Sequence, residues 1–251
     1  MLTEDQLKYL FSLPPDQIVK WYQSKGTTFS WDWKEVWQEA HSRSFTVAKV
    51  MKLDILQELR DEVDKIFTEG ITYEQFQKDL EPILRRLGWW GKVPAKDVPG
   101  YDPANGIDPE KIVQLGSPYR LNTIFTTNAN VGYSKGRYDT MIQNTVERPY
   151  WMYKQIERLH KRRSHAIYAN KVFMWNDPIW NHIYPPNGFN CGCYIIALNK
   201  QEMESLGLHV SNGADFPIEV GDGWDYNPAI TNFKPDLSNY DSDLRNEYRQ
   251  S

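Results

Sequence analysis

Three side chains in the middle of the chain could share chemistry: His165, Cys191 and Cys193. Thiolate and imidazole are the donors zinc prefers, and four of them close a structural tetrahedron. With His182 or His160 as the fourth, the three make a zinc donor set. The Cys-Gly-Cys spacing is unusual for that purpose, since structural zinc sites more often separate their cysteines by two residues. A metal-free core is the simpler arrangement: Cys191 and Cys193 pack as small apolar residues and His165 hydrogen-bonds the backbone. The expectation is therefore no cofactor, with zinc as the alternative. A Cys191 nucleophile with His165 as its base would also need hydrogen-bond reach and an orienting third group, and no local signature supplies either. Nearby, Arg158, His160, Lys161, Arg162 and Arg163 form the one basic cluster. Such runs are mostly solvated turns. The functional alternative is contact of Arg158, Lys161, Arg162 and Arg163 with DNA phosphates, independent of sequence.

The elements around these residues read as a small antiparallel sheet with helices against it. Tyr150 to Ile156 alternates as a strand, Glu157 to Arg163 is a charged turn, and Ser164 opens a short helix through His165. Lys171 to Trp175 is a second strand, Pro185-Pro186-Asn187-Gly188 a turn, and Cys193 to Ala197 a third strand. Upstream, Ser117 caps and Pro118 starts a helix running to about Asn144. Its polar face, with Arg120, Asn128, Asn130 and Arg137, reads as solvated, the alternative being a face that binds phosphate or a partner's carboxylates.

At the N-terminal end, Thr3 caps a short helix, a Pro14-Pro15 break follows, and Asp16 to Lys25 forms a second helix closed by Gly26. From Ser30 to Gly70 apolar residues, Trp33 and Trp37 among them, recur near the helical period, which predicts one helix of nearly forty residues, about 60 Å long. Thr72 and Gln75 suggest a capping box for a partner helix ending at Gly88, with a kink or break at Pro82. The predicted fold is α+β: a long N-terminal helical hairpin, a small antiparallel-sheet domain with packed helices, and an extended C-terminal tail. Residues 1–93 form the helical adaptor, 94–117 a Pro-, Gly- and Asp-rich linker or long loop, 118–200 the core domain, and 201–251 a short helix with the tail. Trp224, Tyr226 and Phe233 suggest that this tail lies along another surface.

Composition narrows the function classes. The chain has 251 residues, enough to bury a sizeable core without staples. A formal charge of −4 gives no global basic field to hold nucleic acid, so any such contact must be local. Two cysteines make no disulfide framework and fit a reducing cytosol, where a Cys191–Cys193 disulfide is disfavoured. No apolar run approaches the roughly 18 residues of a membrane span, and the first residues lack a signal peptide's basic flank and apolar stretch. Aromatic residues reach 14%, with ten Trp, which points to aromatic-rich cores or docking surfaces.

Several separated motifs occur in order: WDWKEVWQEAHSRSFTVAKVMKLDILQELRD, GWWG, RPYWMY, the His165 turn, KVFMWNDPIWNHIYPPNGFNCGC and GWDYNP. Together they resemble the Mu gpF-like phage head morphogenesis family, from about Leu13 to Leu237. The resemblance implies a minor head protein of a phage or prophage, low in copy number. It also implies association with the portal protein and other head proteins during procapsid assembly, with influence on genome packaging or ejection. It carries no well-established enzymatic activity. It places the protein in the virion, in the head interior or at the portal vertex, after assembly in the bacterial cytoplasm. The runner-up is a zinc-dependent nuclease or hydrolase-like effector carried in the head, and a third reading is a module binding genomic DNA non-specifically. The chain departs from the family pattern at Gly192, where an Arg is usual, and at Ala169-Asn170, where a His and a Gly are common. In other branches a Cys-Pro-x-Cys at the His165 turn and a His at the position of Phe189 look metal-capable.

Overall fold

The computed structural model describes residues 15–27, 29–31, 44–156 and 162–230. Within them the chain is α+β. Helix α1 (Pro15–Gln23) starts on a proline, whose missing N–H costs nothing at a helix N-terminus, and buries Ile18 and Tyr22. Gly26, expected to close this helix, instead begins β1 (Gly26–Thr27), which pairs in parallel with β2 (Ser44–Phe45). Trp33 and Trp37, like Thr3 and Phe233, lie outside the described residues.

The single helix expected from Ser30 to Gly70 is not formed. Residues 44–50 are extended or turned: Ser30 bridges to Val50, the Lys49 N–H donates to the Ser30 carbonyl, and Lys49 sits at φ 63°. That left-handed backbone stops a right-handed helix. Phe45, Val47 and Val50 are buried by this arrangement, so the apolar recurrence serves an irregular segment rather than a helix face. Helix α2 begins only at Leu53 and ends at Thr68. Helix α3 (Tyr73–Arg86) returns after a short turn, so the helical hairpin exists but is short. Thr72 caps α3 by accepting from the Gln75 N–H. The Gln75 side chain bonds Asp79 instead of reaching back, so the capping box is incomplete. Pro82 lies inside α3 and does not end it.

The Pro- and Gly-rich stretch after α3 is packed against the hairpin. Strands β3 (Lys92–Pro94) and β4 (Ile112–Gln114) pair antiparallel, and Ala95, Val98, Val113 and Leu115 are buried. Gly100 adopts φ 84°, and a Cβ there would fall 2.6 Å from the Met51 carbonyl oxygen, so only glycine allows the loop to close on the start of α2.

Helix α4 (Pro118–Gln143) follows, its first turn capped by the Ser117 side chain, which accepts from the Arg120 N–H. At 26 residues it is roughly 39 Å long. Its first half packs Leu121, Ile124 and Ala129 into a core shared with α1, α2 and α3. Its last turns add Met141, Tyr138 and Ile142 to a second, aromatic core around Trp151, Tyr153, Tyr168, Phe173, Trp180 and Tyr184. The second core lies on a three-stranded antiparallel sheet in the order β6-β5-β7: Val172–Met174, Tyr150–Lys154 and Tyr194–Leu198. Short helix α5 (Trp180–Ile183) contributes Trp180 and Ile183. Helix α6 (Lys200–Ser205), held by a complete Asn199–Glu202 capping box, adds Met203 to a small cluster with Met152, Val172 and Leu198. Residues beyond α6 run back over the second core: Tyr168 donates to the Pro217 carbonyl, and Trp224 and Tyr226 are buried.

Candidate functional site

The site is assembled at the junction of α4, β5 and β7. An extended chain puts residues two apart on one side, so Cys191 and Cys193, just before β7, can present both sulfurs to the same neighbour. Gly192 between them meets Ile156, where a Cβ would lie 3.2 Å from that side chain. The turn Ser164–Tyr168, a 3-10 helix, brings in His165. His165 Nδ1 stands 3.7 Å from Cys191 Sγ and 3.6 Å from Cys193 Sγ, and the three donor atoms all lie within 4.8 Å of one another. His165 and Cys191 are each 1% exposed.

Cys193 hydrogen-bonds Cys191 and, with His165 beside it, holds the Cys191 thiol well below the ordinary range despite burial. Cys193 is pushed up by the same hydrogen bond and by burial. The Asn187 and Ile156 backbone N–H groups face Cys191 and Cys193 respectively. Burial first, and then the two cysteines, raise the Tyr153 hydroxyl, which donates to Asn187 Oδ1 at 2.9 Å. From α4, Asn130 donates to the Cys191 carbonyl at 2.7 Å.

His182 does not join these residues. It sits exposed on α5, its Nδ1 3.4 Å from the Asp225 carbonyl oxygen, and no further His, Cys, Asp or Glu among the described residues completes the set. His160, Arg158 and Lys161 lie outside the described residues. Arg162 is partly buried and turned inward: it donates to the Phe189 carbonyl at 2.6 Å, and its guanidinium lies where a Cβ on Gly188 would be, 2.0 Å away. Of the basic cluster's described members, only Arg163 is exposed.

The polar face of α4 is not solvated either. Arg120 donates to the carbonyls of Gln114 and Ala48 and lies over the Trp89 ring, while Arg137 is 5% exposed and lies over Tyr194. These inward partners, with Asn187 and Tyr153, are what sequence reading missed. The polar face of α4 was the available signal, since one polar stripe on a helix serves solvent or buried backbone equally well.

A family model described as Phage Mu protein F like protein matches residues 57–196, from within α2 into β7. The chain belongs to this family. Its relatives include the Putative capsid assembly protein F of Escherichia phage Mu, 41% identical over 210 residues, which cover 84% of this chain and 46% of that protein. The Mu-like prophage FluMu F protein of Haemophilus influenzae is 34% identical over 239 residues, covering 83% of this chain and 55% of it. The chain thus spans about half the length of these Mu F-like relatives. No solved structure matches it. The span of the Mu F-like model contains all three clustered donors as well as Tyr153 and Asn187. Among the described residues, no helix is long and apolar enough to cross a membrane.

Proposed function

We propose that the protein acts in phage head assembly, as a minor component of the head of a phage or prophage. The observation that carries this reading is the 41% identity, over 84% of the chain, to a protein named for capsid assembly. The described architecture supports a scaffold: two buried cores hung on one helix, with the thiol–imidazole cluster buried at His165 and Cys191 and half-buried at Cys193. A nucleophilic cysteine must be reached by its substrate, and Cys191 is 1% exposed. The protein associates with the portal and neighbouring head proteins in the bacterial cytoplasm and stays in the finished head, at or near the portal vertex. Through that position it influences packaging or ejection of the genome.

Co-expression of the chain with the portal protein of its own phage tests the reading. The expected result is co-purification of the two and low-copy incorporation into procapsids. A chain that neither binds portal nor enters procapsids overturns it. Head preparations lacking the chain separate the stages: aberrant shells point to assembly, while normal shells with reduced DNA content or infectivity point to packaging or ejection.

A further inference from the structure

The geometry points to a structural zinc centre held by His165, Cys191 and Cys193. In a tetrahedral site with Zn–S of about 2.3 Å and Zn–N of about 2.0–2.1 Å, a sulfur and a nitrogen ligand stand about 3.6 Å apart. The observed separations from His165 Nδ1 are 3.6 and 3.7 Å. Two sulfurs equidistant from one ring nitrogen do not suit hydrogen bonding alone. A neutral imidazole nitrogen offers one lone pair or one N–H, which a single thiol satisfies. A cation at the centre of the triangle uses all three at once.

Burial and charge favour the same ion. Among the described residues, His165 Nε2 is buried without a hydrogen-bond partner, and the polar groups that bond the ring are the two sulfurs. A buried imidazole with so little compensation gains from a ligand bond. Two thiolates and a neutral imidazole carry a charge of −2, which Zn²⁺ cancels, leaving a neutral centre in an apolar setting. On binding, the thiol protons leave to solvent and no oxidation occurs. The oxygen placed beside the set is the Tyr153 hydroxyl, through its contact with Cys193. The three protein donors leave the fourth tetrahedral position to a water, and burial of His165 and Cys191, each 1% exposed, keeps a substrate from the metal, which makes the centre structural rather than catalytic. Its role is to clamp the turn carrying His165 to the start of β7, across 26 positions of sequence.

The test is metal analysis of the full chain, expressed with zinc in the medium and purified under mild reduction. The expected content is about one zinc per chain, falling at least fivefold in Cys191→Ser, Cys193→Ser and His165→Gln. Cobalt substitution should give a thiolate-to-metal charge-transfer band, reduced at least fivefold in either single cysteine variant. Should a variant fail to fold, stripping zinc from the wild-type chain with a chelator should lower its melting temperature, and re-adding zinc should restore it. A zinc content below about a fifth per chain, zinc retained in the variants, or a melting temperature indifferent to stripping overturns the assignment.

Discussion

Asn187 is a small side chain with a large structural task. It is fully buried, accepts from the Tyr153 hydroxyl beside the cysteine pair, and accepts through its own carbonyl from the Gly221 N–H. Asn187→Ala leaves Tyr153 without its acceptor, and a buried orphan of this kind costs about 1–3 kcal/mol. Urea denaturation should show that loss, and an unchanged midpoint would mean that Tyr153 finds another partner. Lys25 offers a second residue-scale prediction. Burial, reinforced by Arg60, lowers its amine to about 7. The unfolded lysine keeps its proton to higher pH, so between about pH 7 and pH 10 the unfolded chain binds more protons than the folded one. Stability should rise with pH across that window, by an amount on the order of a few kcal/mol, and flatten below it. Lys25→Met should remove the slope in urea midpoints measured from pH 6.5 to 9.5. The raised Tyr22 hydroxyl acts with the opposite sign, and only above its ordinary value of 10.0. At this scale the sequence disclosed residue types but not partners. The histidine and cysteines were recognisable donors, whereas Asn187 looked like one more residue of a Pro-Pro-Asn-Gly turn. Asn170 is the converse case. Its φ of 59° is a conformation asparagine tolerates better than most residues.

At the scale of elements, the docking of α4 on α2 depends on Gly132. A Cβ at that position would fall 2.4 Å from the Phe67 ring, so Gly132→Val must push the helices apart or displace the ring. Overpacking of this kind costs about 1–3 kcal/mol. Shortening the partner in Gly132→Val/Phe67→Leu should recover part of the loss, a coupling that a double-mutant cycle in denaturant reads directly. Elements bounded by strong local signals were legible from sequence alone. The Ser117-Pro118 start of α4 and the three strands of the second sheet all fall within a residue or two of expectation. The failure lay between Gly26 and Gly70, a stretch with no glycine or proline to punctuate it. Apolar spacing there fits a helix, but Lys49 takes a left-handed backbone and residues 44–50 bury Phe45, Val47 and Val50 in extended form. Long-range pairing of Ser30 with Val50 decided the matter, and periodicity does not report such pairings.

Across the whole molecule, α4 makes two cores behave as one. Its N-terminal half completes the helical core and its C-terminal turns complete the aromatic one. Tryptophans report on both: Trp31 and Trp89 in the first, Trp151 and Trp180 in the second. Thermal unfolding followed by tryptophan fluorescence and by far-ultraviolet circular dichroism should therefore give coincident transitions. Two separated transitions would show that the cores melt independently despite the shared helix. That helix also has a mechanical meaning. A tension applied across the two cores is carried by one uninterrupted ladder of backbone hydrogen bonds, with no slack peptide between them to take up the load. Under a pulling experiment the molecule should resist as a strut and then yield abruptly, one core tearing from α4, rather than lengthen gradually like two beads on a string.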